Sequence, residues 1–174
     1  MTSSFKAVFE DTQGALKAEP ARGLATFEAV SRQVEGLKSE IRVREFNLIV
    51  DEPPELGGSN EGPNPVELIL ASLATCQEIT YRLYADSLGI PLDRVSVKVS
   101  GDIDLRGFFA VDDGVRPGFE SIRTEVTLEG PASESEFQRL RDSVDRHCPV
   151  LDILQNATPV SLKVTSRSGA LAAE

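Results

Sequence analysis

The chain has 174 residues and a mass of 18.8 kDa, with 28 acidic and 18 basic side chains and a formal charge of −10. This length suits one domain with its own core, so we predict a single domain over residues 1–174 with frayed tails at about 1–4 and 166–174. The acidic balance, without a long basic run, excludes general binding to nucleic-acid phosphates, and the longest uncharged apolar stretch, 68–77, is too short to span a membrane.

The first third of the sequence predicts strands followed by a long loop. The opening residues, MTSSFKAVFEDTQG, lack the basic start and apolar segment of a signal peptide, so we expect a cytoplasmic protein. Segment 23–45 combines a helical spacing of apolar residues with a β-branched run, and we favour strands there. Alternating apolar side chains also predict a strand over 41–50. Residues 51–65 are dense in proline and glycine and predict a surface loop, which is either functional or a plain connector.

A long central helix is predicted after this loop. Asn64 is a suitable N-cap, Pro65 suits the first helical position, and Glu67 completes a capping box three residues after the cap. The sequence that follows is rich in helix-forming residues until Gly89 ends it. Because this helix is apolar on most faces, we expect it at the centre of a domain or of a dimer.

Further strands and a loop follow the central helix. Alternating apolar residues predict strands around 95–99 and 122–128. Between them, 106–119 is rich in glycine and charged residues and predicts a loop or hairpin tip with exposed aromatic side chains.

A second helical segment precedes the end of the chain. Ser133 and Glu136 form another capping box, which opens a helix through His147, and Pro149 begins a short second helix. Alternating apolar residues over 160–164 predict a closing strand. The fold class predicted from all these elements is α+β.

The two cysteines and the single histidine restrict the possible chemistry. A metal site would have to use Cys76, His147 and Cys148, and adjacent His–Cys residues rarely bind one ion, so we expect no metal. A Ser–His–Asp hydrolase would need a G-x-S-x-G motif to accompany His147, and the sequence has none. The two thiols are therefore the candidates for function.

Each cysteine has a structural and a chemical interpretation. Cys76 lies mid-helix among apolar neighbours, where an inert core residue is the plainer explanation. Cys148 precedes Pro149, so it lies at the N-terminus of the short helix, where the helix dipole and the adjacent His147 would favour a thiolate. A core cysteine at a helix kink is the alternative there. Both cysteines are expected on the inward sides of their helices.

Three strings in the sequence resemble one family of proteins. They are DEPPELGG at 51–58, GPNPVELILASLATC at 62–76 and HCPVLDIL at 147–154. In this order and spacing they resemble the osmotically inducible protein C (OsmC) and organic hydroperoxide resistance family, and the resemblance covers about 25–165. It implies an OsmC-like α+β fold with an N-terminal β-meander, a long central helix, further strands and a second helical segment, built as an intertwined homodimer.

The resemblance also implies a chemistry. The best-understood members of the family are thiol-dependent peroxidases that reduce organic hydroperoxides to alcohols. In this chain Cys76 matches their peroxidatic cysteine and Cys148 their resolving cysteine. The implied cycle passes through a Cys76 sulfenic acid and a Cys76–Cys148 disulfide, which an external dithiol reduces without any bound cofactor.

Two positions differ from the family's peroxidases. These carry a catalytic glutamate directly after the helix-opening proline, where this chain has Val66. The next residue, Glu67, is either a displaced catalytic residue or only the helix cap. They also use an arginine from the N-terminal hairpin, and the corresponding count leads to the neighbourhood of Lys38. Three arginines lie nearby, and none of them matches by motif: Arg32, Arg42 and Arg44.

The alternative function is that of a binding protein without catalysis. The same dimer-interface pocket would then hold a small apolar or lipid-like ligand. Val66, Phe108 and Phe109 favour this alternative because they supply apolar surface.

Overall fold

The fold combines five helices with two antiparallel sheets in a computed structural model that describes residues 4–166. This confirms the predicted α+β class. The helices are α1 (Ser4–Ala18), α2 (Pro65–Leu88), α3 (Leu105–Phe108), α4 (Glu134–His147) and α5 (Pro149–Gln155). The strands are β1 (Val30–Glu35), β2 (Lys38–Val43), β3 (Phe46–Val50), β4 (Arg94–Ile103) and β5 (Phe119–Glu129), and short 3-10 helices cover Pro20–Gly23 and Pro54–Leu56.

Helix α1 is absent from the sequence-based prediction. Apart from Ser4, which begins this helix, and Ser166, the predicted tails lie outside the described residues. The Phe9 ring packs edge-on against Tyr84 of α2, with ring centroids 5.3 Å apart, so α1 lies on the central helix. The sequence pattern that indicates α1 is a helical spacing of apolar residues, at Phe5, Val8, Phe9 and Leu16.

Strands β1, β2 and β3 form the predicted N-terminal meander, in that spatial order. The preference for strands in 23–45 is confirmed from Val30 onward, with a turn at Gly36, whose φ is +52°. The strand prediction over 41–50 is confirmed except at residues 44 and 45, where the chain turns. The backbone of Arg44 adopts a left-handed conformation, with φ +54°, and turns the chain between β2 and β3.

Helix α2 begins and ends at the predicted residues. The Asn64 side chain accepts the backbone N–H of Glu67 at 2.9 Å, and the Glu67 carboxylate accepts the backbone N–H of Asn64 at 2.8 Å. Gly89 caps the other end in the left-handed conformation, with φ +66°. Both boundaries follow from local side-chain and backbone bonds, which is why the sequence predicts them.

The predicted loop before α2 is present and is held together by one buried carboxylate. Asp51 accepts three backbone N–H groups, from Glu52 at 2.8 Å, Ser59 at 2.9 Å and Glu61 at 3.2 Å. Burial alone would raise the pKa of Asp51, but these donors and the Lys38 ammonium together hold it below its usual value. Lys38 in turn pairs with Glu61 at 3.0 Å, which fastens the loop to β2.

The core lies where α2, the β4–β5 hairpin and the α4–α5 segment meet. The second predicted capping box is confirmed, since the backbone N–H groups of Ser133 and Glu136 each bond the other residue's side chain. The buried residues of this core are Tyr81, Ala85, Ile90, Leu92, Leu140, Val144 and Cys148. The core therefore holds α2 against the end of α4, where one of the two thiols lies.

The predicted closing strand over 160–164 is wrong for the chain as the structure describes it. Residues 157–166 contain no strand, and Val160, Leu162 and Val164 are strongly exposed. Alternating apolar residues alone do not make a strand, and no other strand within residues 4–166 pairs with this segment. Further apolar side chains are exposed before the meander, where Leu24 and Phe27 are 92% and 93% accessible. No helix in the described part of the chain has the length and apolar character needed to cross a membrane.

Candidate functional site

The two thiols lie side by side. The Sγ atoms of Cys76 and Cys148 are 3.4 Å apart, although the residues are 72 positions apart in the sequence, and both cysteines are free. Cys76 projects from the middle of α2 and is half-buried, whereas Cys148 is only 1% exposed. The predicted inward placement of both cysteines is therefore confirmed, and the Cys148 thiol donates a hydrogen bond to the Cys76 sulfur.

The surroundings of Cys148 keep it protonated. It occupies the predicted position at the N-terminus of α5, where the nearby backbone N–H groups of Leu151 and Val150 act to lower the pKa of its thiol. The expectation that this position favours a thiolate is nevertheless wrong. Burial, followed by the neighbouring Cys76 sulfur, raises the pKa of Cys148 more than the two backbone donors lower it. Cys148 is therefore a buried thiol donor at neutral pH.

His147 is engaged away from the thiols. Its ring stacks on Tyr84 with centroids 5.2 Å apart, and its Nδ1 lies 2.7 Å from the carbonyl oxygen of Ser143. Since a carbonyl only accepts, Nδ1 carries the proton in this contact. The ring of His147 therefore packs on Tyr84, which in turn contacts Phe9 of α1. These contacts of His147 do not involve Cys148.

A cleft lies along the part of α2 that precedes Cys76. It has a volume of about 470 Å³ and lies between the first half of α2, strand β5 and helix α5. Its α2 wall is formed by Val66, Ile69 and Leu73. Ile69 is 40% exposed whereas Leu73 is 1% exposed, so the cleft deepens along the helix. Cys76 follows Leu73 by about one turn on the same side of α2, and neither thiol is among the residues that line the cleft.

The loop predicted over 106–119 contributes only its last residues to this cleft. Arg116 and Phe119 line it, and the positive charge of Arg116 is accompanied there by the negative charge of Glu120. Phe108 and Phe109 stack edge to face at 5.0 Å on the exposed part of the loop and do not line the cleft. Of the three apolar residues that favour a binding function, only Val66 lies at this cleft. No motif in the sequence distinguishes Arg116 from the other arginines.

Glu67 is occupied by the helix cap. Its carboxylate bonds the backbone of Asn64, and Val66 instead of Glu67 lines the cleft. Neighbouring positions on a helix differ by about 100° in direction, which explains why the two side chains face different surroundings. This arrangement supports the interpretation of Glu67 as a capping residue.

A pair of substitutions at Glu67 distinguishes a role in capping the helix from a role in the reaction of the thiols. Glu67→Gln keeps an N3 acceptor for the cap, so we expect an unchanged thermal midpoint and unchanged reactivity of the thiols. Glu67→Ala removes that acceptor and should lower the free energy of unfolding by about 0.5–1 kcal/mol, again with unchanged reactivity. Thermal unfolding and the rate of thiol loss with cumene hydroperoxide check both. A large fall in that rate for Glu67→Gln would instead assign the carboxylate a chemical role.

The basic residues of the meander lie apart from the cleft. Lys38 pairs with Glu35 and Glu61, and none of the meander's cations lines the cleft. The three arginines considered from the sequence have other contacts or surroundings: Arg32 pairs with Glu40, Arg44 lies over the ring of Phe46, and Arg42 borders a separate surface depression. No cluster of three or more potential metal ligands occurs within residues 4–166.

Comparison with known proteins identifies the family. The family model described as OsmC-like protein matches residues 58–163, which is more than half of the chain and includes both cysteines. The chain belongs to the OsmC-like protein family. This confirms the resemblance found in the sequence, and the match spans α2, the β4–β5 hairpin, α4 and α5. Helix α1 and the meander precede it.

Individual relatives of this OsmC-like chain share its fold at low identity. A hydroperoxide reductase from Mycoplasma pneumoniae is 24% identical over 123 residues, which cover 69% of this chain and 80% of that protein. The crystal structure of an OsmC-like protein from Mycoplasma pneumoniae superposes with a TM-score of 0.66 at 21% identity, covering 76% of this chain and 89% of that one. An organic hydroperoxide resistance protein OsmC from Legionella pneumophila gives a TM-score of 0.59 at 22% identity, covering 76% and 90%.

Proposed function

We propose that this OsmC-like protein is a thiol-dependent peroxidase that reduces organic hydroperoxides to alcohols. The Cys76 thiolate attacks the terminal oxygen of the hydroperoxide; the S–O bond forms as the O–O bond breaks, and the alkoxide leaves and takes up a proton. Cys76 is then a sulfenic acid. The Cys148 sulfur attacks it, the Cys76–Cys148 disulfide forms, and the hydroxyl leaves as water.

The observation that carries this proposal is the 3.4 Å separation of the two sulfurs. A disulfide has an S–S length of about 2.05 Å, so the two thiols need to approach by only a little over 1 Å. The exposure of the sulfurs also differs in the way the cycle requires. Half-buried Cys76 is accessible to substrate, whereas buried Cys148 is accessible to Cys76. The name of the Mycoplasma pneumoniae relative, hydroperoxide reductase, agrees with this chemistry.

The cleft supports an organic substrate. Its apolar α2 wall and the leucines of α5, Leu151 and Leu154, suit the carbon chain of an alkyl or lipid hydroperoxide better than hydrogen peroxide. The cycle needs no bound cofactor, because an external dithiol returns both cysteines to thiols. We expect this to happen in the cytoplasm, where dithiol reductants are maintained.

We also propose that the protein functions as the intertwined homodimer of its family. The exposed apolar residues before the meander and those at 160–164 are unusual for a monomer surface and support burial against a second copy. The extended 157–166 segment would find in that copy the neighbouring strand that its own protomer lacks. The mass of the protein in solution, measured by light scattering, tests this.

The peroxidase function is tested on the reduced protein with one equivalent of cumene hydroperoxide. We expect both thiols to disappear within seconds and the intact mass to fall by about 2 Da, which is the signature of one intramolecular disulfide. Hydrogen peroxide at the same concentration serves as the comparison and should react more slowly. Two free thiols after several minutes would contradict the proposal.

A binding function is the second candidate, and Val66 is the observation that favours it. This apolar residue lines the cleft at the position where the family's peroxidases carry a catalytic glutamate. If the thiols are inert, equilibrium binding of a fluorescent fatty acid to wild type and to Cys76→Ser tests this candidate. Equal affinity of the two proteins is the result expected for a binding protein.

A further inference from the structure

The junction between α4 and α5 contacts the central helix at two points. One is the pair of thiols, where the Sγ atoms of Cys148 and Cys76 are 3.4 Å apart. The other is one residue earlier, where the ring of His147 stacks on Tyr84 with centroids 5.2 Å apart and an interplanar angle of 21°. Cys76 and Tyr84 are eight residues apart on α2, which separates their backbone positions by about 12 Å along the helix. Two separated contacts with one helix fix a chain segment better than one contact does.

The second contact holds an exposed side chain in one orientation. His147 is exposed, yet its flat face lies on Tyr84 and its Nδ1 donates to the carbonyl oxygen of Ser143 at 2.7 Å. The Tyr84 ring is itself partly buried against the core, and Phe9 of α1 packs edge-on against it at 5.3 Å. The histidine ring is therefore fixed to α2 by a partner that the core and α1 hold in place.

The backbone of Cys148 is the point at which the chain changes direction. Its N–H donates to the carbonyl of Val144 at 2.9 Å, which ends α4, and its carbonyl accepts the N–H of Asp152 at 3.0 Å, which begins α5. Its own φ of −77° and ψ of 110° are not helical. A change in the angle of this junction therefore moves the Cys148 sulfur relative to Cys76. Because His147 is the adjacent residue, a fixed His147 ring limits that movement.

We propose that the stack of His147 on Tyr84 positions Cys148 for its attack on the Cys76 sulfenic acid, an inference that rests on the peroxidase function proposed above. In that step the Cys148 sulfur supplies the electron pair of the S–S bond, the S–O bond of Cys76 breaks, and the hydroxyl leaves with the Cys148 proton as water. The competing reaction is oxidation of the sulfenic acid by a second hydroperoxide, which gives a sulfinic acid and an alcohol. His147 and Tyr84 are positioning residues, since they act through the backbone of Cys148.

The test uses replacements that separate the ring from its hydrogen bond. His147→Asn keeps a donor for the Ser143 carbonyl and removes the ring, His147→Phe keeps a flat ring and removes the donor, and Tyr84→Leu removes the stacking partner. With one equivalent of cumene hydroperoxide, we expect disulfide formation to slow about threefold to tenfold in His147→Asn and Tyr84→Leu. The first oxidation of Cys76 should keep its wild-type rate, and His147→Phe should match wild type in both steps. Intact mass at timed intervals, with dimedone to trap the sulfenic acid, measures the two steps separately.

A second measurement needs no hydroperoxide. The equilibrium between the two thiols and the Cys76–Cys148 disulfide is read in buffers of reduced and oxidised glutathione, by counting free thiols. The two variants that lack the stack should form the disulfide with an equilibrium constant about threefold to tenfold smaller than wild type, because their sulfurs are less well placed. Phe108→Ala is the matched control, since it removes an exposed aromatic pair in which the rings of Phe108 and Phe109 are 5.0 Å apart. It should leave both measurements unchanged.

Several outcomes overturn the inference, and they differ from one another. Wild-type disulfide formation in His147→Asn shows that core packing alone positions Cys148, and it leaves the peroxidase function in place. Equal slowing in His147→Phe and His147→Asn assigns the effect to the hydrogen bond instead of the stack. A parallel fall in the first oxidation shows that the variants disturb Cys76 itself. Wild-type protein that is inert to hydroperoxide removes the peroxidase function and the resolving step with it, while the glutathione equilibrium still shows whether the stack holds the two sulfurs together.

Discussion

Replacing Cys76 by serine is expected to abolish the reaction with organic hydroperoxides, leaving only the uncatalysed background. A serine hydroxyl is not ionised at neutral pH and cannot act as the nucleophile in this position without a general base. Cys148 remains in Cys76→Ser, but it is 1% exposed and its pKa is raised by burial, so it cannot take over the attack. Stopped-flow mixing with cumene hydroperoxide, followed by a free-thiol count, measures the effect.

The companion variants at Cys148 separate two roles of that residue. Cys148→Ser keeps a hydroxyl donor next to the Cys76 sulfur, so the first oxidation should proceed at close to the wild-type rate. No disulfide forms, and the mass should rise by about 16 Da and then 32 Da as Cys76 passes through sulfenic and sulfinic acid. Cys148→Ala also prevents the disulfide and in addition removes the donor, so its first oxidation should be slower than that of Cys148→Ser.

The results that contradict this assignment are specific. Oxidation of Cys76→Ser at the wild-type rate would make Cys148 the attacking thiol and reverse the two roles. A disulfide formed by either Cys148 variant would need the thiol of a second molecule, and with a second copy of the chain it would appear at about twice the mass of one chain. Equal first-step rates for Cys148→Ser and Cys148→Ala would show that the hydrogen bond between the two residues does not assist the reaction.

The sequence predicts those parts of this structure that depend on local chemistry. The start of α2 at Asn64 and its end at Gly89 are decided by side-chain and backbone bonds within four residues of each boundary. The kink at Pro149 follows in the same way. The turn at Arg44 is missed because it needs a left-handed residue where the sequence offers no glycine or asparagine.

Features that depend on distant parts of the chain are not predictable from the pattern. The alternation at 160–164 is present in the sequence, but a strand needs a partner strand, and none lies within residues 4–166. The sequence shows that Cys148 lies at a helix N-terminus, where the dipole lowers the pKa of a thiol. Burial by residues from other elements nevertheless decides that the pKa of Cys148 is raised. The resemblance to the family implies the roles proposed for Cys76 and Cys148, while their 3.4 Å separation depends on how α2 packs against α4 and α5.

Oxidation of the two thiols should raise the thermal stability of the protein markedly. The disulfide would join residues 72 positions apart, and closing a loop of that length reduces the entropy of the unfolded chain by an amount worth about 4 kcal/mol. For a domain of this size, each kcal/mol corresponds to about 2–4 °C in the thermal midpoint, so we expect a rise on the order of 10 °C. Calorimetry measures this rise in the thermal midpoint. It compares protein treated with one equivalent of hydroperoxide with protein kept in a phosphine reductant.

Cys148→Ser is the matched control, because it undergoes both treatments without forming the disulfide. Its thermal midpoint should be the same after oxidation and after reduction, apart from the small effect of oxygen adducts on Cys76. The size of the rise in wild type then reports how much rearrangement the disulfide requires. Closing the gap from 3.4 Å to about 2.05 Å by side-chain rotation alone preserves the packing of α2 on α4, and the full entropic gain remains. A midpoint that is unchanged or lower on oxidation would mean that the helices must shift, and the loosened core would then expose the disulfide to the dithiol that reduces it.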